Sequence, residues 1–224
     1  MTKAQLNLLK EFTNINTSFS ITGTEDIGVL SPDKSAILFY SPKDGEFSEF
    51  DTKTRIYSVD YLVALIDTIG LDSTISVIKD SHVQIKNGNR QVKFLQANVT
   101  TVPDAPAAVE DKFDSLEIDI EFTLNKTDLE QIKKISSLLG LTEIKISAQK
   151  NKVNIALGGA DTKSSNNYSI DLDGKGSAEI YFDITNLSKL LVDDYGVKIS
   201  SVGLSKFSAV NVKGLRYYLV SLAK

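Results

Sequence analysis

The chain of 224 residues is 42% hydrophobic and 24% charged, which is typical of a soluble globular protein with one large domain or two small ones. Its formal net charge of −4 excludes a role based on overall basicity, so any contact with nucleic acid must depend on the local placement of lysines. The absence of cysteine excludes disulfides and thiolate metal sites. No signal peptide is indicated, and no apolar run approaches the roughly 20 residues that span a bilayer. We therefore expect a protein of a reducing cytoplasm.

The first half of the chain is predicted to contain two helices and six strands. Its first helix covers 3–15, where Leu6, Leu9 and Phe12 recur at helical spacing. The other elements are predicted from alternation and turn residues as strands at Phe19–Leu30, Ser35–Tyr40 and Glu46–Tyr57, a helix at Val59–Ile69, and strands at Thr74–Ile78, His82–Lys86 and Arg90–Ala97. Together they make up a predicted first domain over 1–97.

A linker and a second domain are predicted to follow. Residues 98–112 hold two of the four prolines and show no periodicity, which is typical of a linker. The second domain, 113–224, is expected to begin with a strand at Phe113–Leu124 and a helix that Asn125 caps and Gly140 ends. Strands are predicted near 142–148, 151–157, 166–172 and 177–183, then a helix at Ile184–Leu191 and strands near 197–200, 206–212 and 215–222, with turns at Asn151 and at 173–176.

The two halves share a pattern that indicates a duplication. Leu6, Leu9, Phe12 and Ile15 match Leu129, Ile132, Ile135 and Leu138, each 123 positions later, and Leu139 extends the second apolar face. Tyr57–Leu62 aligns with Phe182–Leu187, and Gly88–Arg90 aligns with Gly214–Arg216. A repeat of this length indicates two copies of one module, since solenoid repeats are shorter. The predicted fold class is α+β, with two similar domains that each pack two helices on antiparallel sheets. Chance similarity between amphipathic segments is the alternative.

The first and third helices also carry matching polar faces. Opposite the apolar residues lie Lys3, Asn7, Lys10 and Asn14 in the first helix, and Lys126, Glu130, Lys133 and Ser137 in the third, flanked by Lys134. A chain that is acidic overall but basic on two matching helices suits a protein that meets phosphates on one surface without reading base sequence. The alternative is an ordinary solvated helix face, which often carries lysine.

No group of residues predicts catalysis or metal binding. The single histidine, His82, has no candidate nucleophile or orienting group near it in the sequence, so no catalytic triad is indicated. Asp171–Gly174 begins like a calcium loop, but the later ligand spacing is wrong. We therefore predict a protein that is not an enzyme and that has no catalytic residue, metal site or cofactor.

Three segments resemble the sliding clamps of T4-like bacteriophages: Leu8–Asn16 near the start, Ile56–Leu62 before the second helix, and Asp128–Gln131 in the third helix. The similarity extends loosely over nearly the whole chain, in segment order and in length. Members of this family are ring-shaped processivity factors of DNA replication with the DNA-clamp fold. In them, three subunits of two similar domains each surround duplex DNA. Helices line the hole, and sheets form the outer wall and continue across subunit boundaries.

The resemblance implies roles for individual residues. The DNA-facing residues are Lys3, Lys10, Lys126, Lys133, Lys134 and Lys189. An apolar pocket for the tail peptides of partner proteins would be built by Tyr40, Val102, Pro103, Val220 and Leu222. Edge strands around Arg90–Leu95 and Tyr168–Leu172 would pair between subunits, with Arg90, Val92, Phe94, Tyr168, Ile170 and Leu172 at the interface. The second helix departs from a basic lining, because it carries Asp60 and Asp67 and no basic residue.

The sequence thus favours a homotrimeric sliding clamp that encircles duplex DNA without sequence preference and tethers the replicative DNA polymerase. The expected partners include an ATP-driven clamp loader and further copies of the chain, but no membrane. The expected location is the cytoplasm of the infected bacterial host. The alternative is a non-enzymatic structural or assembly protein of a phage, which pairs its sheets and uses no DNA.

Overall fold

The computed structural model describes residues 1–158 and 166–222. The chain forms two compact units, Met1–Pro106 and Ala107–Lys224. The division between them falls inside 98–112, the segment that the sequence predicts to be a linker. Both units combine helices with antiparallel strands, which confirms the predicted α+β fold class.

The first unit contains two helices and seven strands. In chain order they are α1 (Lys3–Phe12), β1 (Phe19–Ile21), β2 (Ile27–Leu30), β3 (Ala36–Tyr40), β4 (Thr54–Ile56), α2 (Val59–Ile69), β5 (Thr74–Ile78), β6 (His82–Asn87) and β7 (Arg90–Leu95). Within this unit β1 pairs with β4, β2 pairs with β3, and β5, β6 and β7 form an antiparallel meander. The helices α1 and α2 contact each other.

Helix α1 is fixed by a cap and by an aromatic core. Thr2 accepts a hydrogen bond from the N–H of Gln5, and the Gln5 side chain accepts one from the N–H of Thr2, which is a capping box. At the other end of the helix, the buried Phe12 ring packs against Phe19 and Tyr40, with centroids 6.3 and 5.5 Å apart. The apolar side of α1 is therefore held against the strands, and its polar side is left exposed.

The described part of the second unit contains three helices and seven strands. In chain order they are α3 (Ala108–Asp114), β8 (Ile120–Leu124), α4 (Lys126–Leu139), β9 (Glu143–Leu157), β10 (Tyr168–Gly176), β11 (Glu179–Asp183), α5 (Ile184–Ser188), β12 (Tyr195–Ser200), β13 (Leu204–Ala209) and β14 (Leu215–Val220). The strands form an antiparallel sheet in the order β11-β9-β10-β8-β12-β13-β14. As in the first unit, a long helix is followed by strands, a second helix and a closing three-stranded meander.

Helix α4 has the predicted ends but a different buried face. Asn125 accepts the N–H of Asp128 at 2.8 Å, and Gly140 ends the helix in the left-handed region with φ of 64°. Leu138 and Leu139, which the sequence assigned to the apolar face, are 73% and 38% exposed, so this assignment is wrong. The buried stripe continues instead through Ser136, four residues after the fully buried Ile132.

Several strand predictions are also wrong. Phe19–Leu30 is two strands, separated by a bend at 23–25. Of Glu46–Tyr57, only Thr54–Ile56 is a strand, because the preceding residues form turns in which the buried Phe47 has φ of 57°. Strand β9 runs without a break from Glu143 to Leu157, since one end pairs with β11 and the other with β10. The turn expected at Asn151 is therefore absent.

The glycines near 173–176 serve close packing in a strand, and the predicted turn there does not exist. Strand β10 continues to Gly176 and passes from β9 to β8, pairing Gly174 with Phe122. A Cβ on Gly176 would lie 2.1 Å from the carbonyl oxygen of Asp119, and φ there is 143°. Glycine is required because the neighbouring backbone leaves no room for a side chain.

The predicted linker contains a helix. Residues 108–114 form α3, so the strand predicted at Phe113–Leu124 is reduced to β8. Glu110 fixes α3 to β14, because its carboxylate accepts hydrogen bonds from Arg216 Nε and Nη2 at 2.5 and 2.8 Å and from the Tyr218 hydroxyl at 3.1 Å. Phe113 is buried edge-on against the Tyr218 ring. A seven-residue helix is too short to show periodicity, which is why the sequence did not predict it.

The part of the linker segment before α3 belongs to the first unit. Val102 is fully buried there. Asp104 forms ion pairs with Lys53 at 3.0 Å and with Arg55 at 2.9 Å. The predicted linker is thus attached along its length, with its first part on one unit and its helix on the other.

Candidate nucleic-acid interface and partner pocket

The first predicted DNA-facing pair, Lys3 and Lys10, lies on the exposed side of α1. The two side chains have different surroundings. Lys3 Nζ lies 2.6 Å from Asp67 Oδ1 on α2, so this ammonium group connects the two helices. In the described part of the chain, the ammonium group of Lys10 has no carboxylate within 4.0 Å. The two lysines therefore share a surface but differ in how much charge they present.

The lysines of α4 are divided in the same way. Lys126 and Lys134 are exposed. Lys133 is half-buried, and its Nζ donates a hydrogen bond to the backbone carbonyl of Leu190, just beyond α5. The prediction that Lys133 lies on the outward face with Lys126 is therefore corrected, because this side chain is turned toward α5. Helical spacing could not separate these cases, since Lys133 lies at the border between the buried and exposed sides of α4.

Lys189, the sixth predicted DNA-facing residue, lies at the end of α5. It is half-buried, and its Nζ is 3.2 Å from Asn186 Oδ1 in the preceding turn. Asp183 begins the same helix by accepting the N–H of Thr185 at 2.8 Å. The short helix α5 thus adds one partly accessible ammonium group to the set of predicted DNA-facing lysines.

Helix α2 contributes a different kind of surface. Asp60 is half-buried and Asp67 is paired with Lys3, so neither acid is a fully exposed charge on the first unit. Tyr57 and Tyr61, four positions apart, are 62% and 66% exposed. Tyr57 lies just before α2 and Tyr61 lies in its first turn, and this pair of aromatic residues is the signal in the sequence that indicates the exposed surface.

Two of the predicted pocket residues line a cavity in the second unit. Val220 and Leu222 border a cavity of about 320 Å³, together with Ile180, Tyr181 and Val202. The N–H of Leu222 donates to the carbonyl of Tyr181 at 2.7 Å, which brings the residues that directly follow β14 beside β11. The Glu179 carboxylate, 2.5 Å from the Tyr181 hydroxyl, raises the pKa of Tyr181 to about 12, so this hydroxyl stays protonated at neutral pH.

The other predicted pocket residues belong to the first unit and differ in accessibility. Tyr40 and Val102 are buried, so neither presents a surface to a peptide in this conformation. The Tyr40 hydroxyl donates to Glu46 at 2.6 Å, and burial, together with this carboxylate, raises the pKa of Tyr40. Pro103 is exposed. Val220 and Leu222 thus line a cavity, whereas the role predicted for Tyr40 and Val102 in an accessible pocket is corrected, because both side chains are buried.

Both predicted subunit edges are strands with a free side. In the described residues, β7 pairs with β6 alone, and Tyr168–Leu172 of β10 pairs with β9 alone. On β7, Val92 and Phe94 are half-buried and share one face with the exposed Arg90. On β10, Tyr168, Ile170 and Leu172 are half-buried and share one face, while the exposed Asp171 lies on the other. Both edges can accept a further strand.

The described residues contain no group of three or more potential metal-ligating side chains. Among their helices, none is long and apolar enough to cross a membrane.

Comparison with known proteins identifies similar chains in both sequence and fold. The chain is 24% identical over 231 residues to the sliding clamp of Vibrio phage KVP40, covering 100% of this chain and 99% of the phage protein. A putative DNA polymerase III beta subunit from Eubacterium rectale matches with a TM-score of 0.69 and 16% identity, over 98% of this chain and 64% of that protein. PCNA from A. fulgidus, solved with the C-terminal region of FEN-1, matches with a TM-score of 0.67 and 11% identity, over 99% and 96%. No protein-family model matches the chain.

The sequence match covers the full length of both proteins, and the structural matches include both units. These findings confirm the resemblance to sliding clamps that the sequence indicated, and they give the chain the DNA-clamp fold.

Proposed function

We propose that the chain is a sliding clamp, which encircles duplex DNA and tethers the replicative DNA polymerase to it. The observation that carries this proposal is the full-length likeness to a phage sliding clamp in a chain that also has the clamp fold. The exposed lysines on α1 and α4 support it, because long cationic side chains contact a phosphate backbone without reading base sequence. The protein holds its polymerase in place and performs no reaction itself.

The proposed assembly is a ring of three copies. Three copies of two similar units would give six similar segments around the hole. The free edges of β7 and β10 support pairing between neighbouring copies, since each has half-buried apolar residues on one face. Such an interface is head-to-tail, and a head-to-tail contact must close on itself to give a ring of defined size.

The proposed partners act on this ring in the cytoplasm of the infected host. An ATP-driven loader opens and closes it around DNA, and the polymerase binds it through a tail peptide. The cavity beside Val220 and Leu222 supports this mode of binding, because a small cavity with both apolar and polar lining residues can receive side chains of a short peptide. The match to a PCNA solved with the C-terminal region of FEN-1 is a precedent for such a partner in the same fold.

The test compares retention on closed and open DNA. Fluorescently labelled protein is incubated with a T4-type clamp loader, ATP and a nicked circular plasmid, and DNA-bound protein is then separated by gel filtration at 150 mM salt. We expect the protein to stay on the circle and to be lost when a restriction enzyme cuts the circle once. The loss follows because a topologically held ring leaves through a free end.

Two results would contradict the proposal. Equal retention on circular and linear DNA would indicate ordinary surface binding. An absence of retention on either DNA, combined with formation of a stable oligomer, would favour a structural or assembly protein that does not use DNA.

A further inference from the structure

We propose that the lysines on the two matching helices are divided between two tasks, and this inference rests on the function proposed above. Lys3 and Lys133 hold each long helix against its neighbour, and Lys10, Lys126 and Lys134 contact the DNA backbone. All five were predicted from the sequence to face DNA. The structure separates them by the partner of each ammonium group.

The helix-holding contact in the first unit joins α1 to α2. Lys3 lies in the first turn of α1, and Asp67 lies in the last turn of α2, with 2.6 Å between Nζ and Oδ1. Both side chains are about half exposed. The ion pair neutralises Asp67, an acid that would otherwise repel phosphate on the same surface. Because the ammonium group of Lys3 is paired in this way, it is not assigned to a phosphate contact.

The helix-holding contact in the second unit joins α4 to the end of α5. The Lys133 ammonium group donates to the carbonyl of Leu190, which follows the C-cap residue of α5, Lys189. Leu190 is buried and Lys133 is half-buried, so the contact is partly shielded from solvent. A hydrogen bond from a charged donor to a partly buried carbonyl is stronger than a neutral one.

The other three lysines are exposed and are not held by carboxylates. In the part of the chain that the structure describes, the ammonium groups of Lys10, Lys126 and Lys134 have no carboxylate within 4.0 Å. In the repeat, Lys3 corresponds to Lys126 and Lys10 corresponds to Lys133. Each pair therefore contains one lysine that holds two helices together and one that does not. In the first pair the helix-holding lysine is Lys3, from the first unit, and in the second pair it is Lys133, from the second unit.

The test measures the salt dependence of DNA binding. Wild type and five single Lys→Met variants are titrated against a fluorescein-labelled 24-base-pair duplex by anisotropy, between 20 and 150 mM salt. The plot of log K against log salt has a negative slope, and each phosphate contact that is lost reduces the magnitude of this slope by about 1. We expect Lys10→Met, Lys126→Met and Lys134→Met each to reduce the magnitude of the slope, and none of them to lower the melting temperature.

The packing lysines should behave in the opposite way. Lys133→Met should leave the slope unchanged and lower the melting temperature by about 2–4 °C. Lys3→Met should leave the slope unchanged with a smaller thermal effect, because its ion pair is exposed. Removing the partner should release Lys3 to contact phosphate, so Asp67→Asn should steepen the slope. Glu25→Gln, an exposed acid in the loop between β1 and β2, is the control for loss of one negative charge.

The possible results separate this inference from the proposed function. A lowered slope for Lys3→Met or Lys133→Met, equal to that of the other three variants, would overturn the division while leaving a DNA-facing surface. An unchanged slope for Lys10→Met, Lys126→Met and Lys134→Met would also overturn it. The wild type could be retained on circles and yet show no binding to the duplex even at 20 mM salt. The lysine assignment would then be wrong, although the ring function would stand.

Discussion

Asp104 attaches the segment after β7 to the first unit. Its carboxylate contacts both Lys53 and Arg55, and these two cations outweigh the effect of partial burial and lower the pKa of Asp104. A carboxyl group with a lowered pKa in the folded state stabilises the protein above its unfolded pKa of about 3.9. This stabilisation is lost as the pH falls through the lower folded value.

Asp104→Asn should therefore destabilise the protein at pH 7 and have less effect in acid. We expect a decrease of less than about 1 kcal/mol in the free energy of unfolding, because the pair is partly exposed to solvent. Urea unfolding of the variant and wild type at pH 7, 5 and 3 checks this. The difference between them should shrink below pH 4, and a difference that grew in acid would contradict the assignment of these ion pairs.

The sequence shows where the lysines of the two helices are, but it does not show which of them contact a neighbouring helix. The spacing of Lys126 and Lys133 predicts one helix face, and a helix wheel cannot tell which of them meets α5. The contact between Lys133 and Leu190 joins residues 57 positions apart, so it depends on tertiary packing. The same limit applies to Tyr40, whose burial depends on Phe12 and on Glu46.

Helices α1 and α4 both begin with a lysine, Lys3 and Lys126 respectively. The N-terminus of a helix carries partial positive charge, so a cation there is unfavourable and an acid is stabilising by about 0.3–1 kcal/mol. Among the described residues the ammonium group of Lys126 has no carboxylate within 4.0 Å, although its backbone N–H donates to Asp194 Oδ1 at 2.7 Å. A residue that weakens its own helix is expected where the charge serves another purpose.

Lys126→Glu should therefore raise stability and lower DNA binding at the same time. We expect an increase of at most about 0.5 kcal/mol in the free energy of unfolding, because Asp194 and Asp128 already interact with this helix N-terminus. Thermal melting and polymerase stimulation on primed circular DNA measure the two effects. Lys134→Glu is the matched control, because the same charge change near the middle of α4 should reduce stimulation without stabilising the helix. A loss of both stability and stimulation in Lys126→Glu would indicate misfolding and contradict the prediction.

Helices were predicted more accurately than strands, for reasons that particular elements show. Helix α2 has the predicted bounds, Val59–Ile69, because its apolar spacing and Gly70 are local signals. The sequence predicts a shorter strand β10, because Asp173–Gly176 has the composition of a turn. Its two glycines are there to admit the backbone and side chains of β8 and β9, and no local signal distinguishes the two uses of glycine.

At the scale of the whole molecule, the proposed subunit contact can be tested through charge. Alternation places Lys93 on the face of β7 opposite Val92 and Phe94, and Asp171 on the face of β10 opposite Ile170 and Leu172. If the two strands pair between copies with apolar faces aligned, the exposed lysine and aspartate lie on the same outer face. Opposite charges across paired strands are favourable, and like charges are unfavourable.

Single charge reversals should weaken the oligomer, and the double reversal should restore it. We expect Lys93→Glu or Asp171→Lys alone to shift the protein toward monomer in analytical ultracentrifugation at micromolar concentration. The variant with both changes should sediment like wild type. Lys79→Glu, a charge reversal in the exposed turn before β6, is the control. An oligomer that resisted both single changes, or a double variant that stayed monomeric, would contradict pairing of these edges.

The fold class and the two-module plan were available from the sequence, because the repeated helix spacing and the paired Gly88 and Gly214 turns are local. Both glycines adopt positive φ, 58° and 85°, before the last strand of their unit. The exposed tyrosines at the start of α2, Tyr57 and Tyr61, and the cavity beside Val220 were only partly predictable. Both depend on which surfaces remain uncovered after the strands have packed.

In the proposed clamp, the small size of the cavity beside Val220 and Leu222 affects how quickly one partner protein can replace another. A cavity of about 320 Å³ has room for only two or three side chains, so most of the surface of a partner protein stays outside it. Shallow anchoring of this kind gives short residence times, since affinity differences between related complexes lie mainly in the rate of departure. In the proposed ring, with one such cavity per copy, one enzyme would be exchanged for the next while the ring stayed on the DNA.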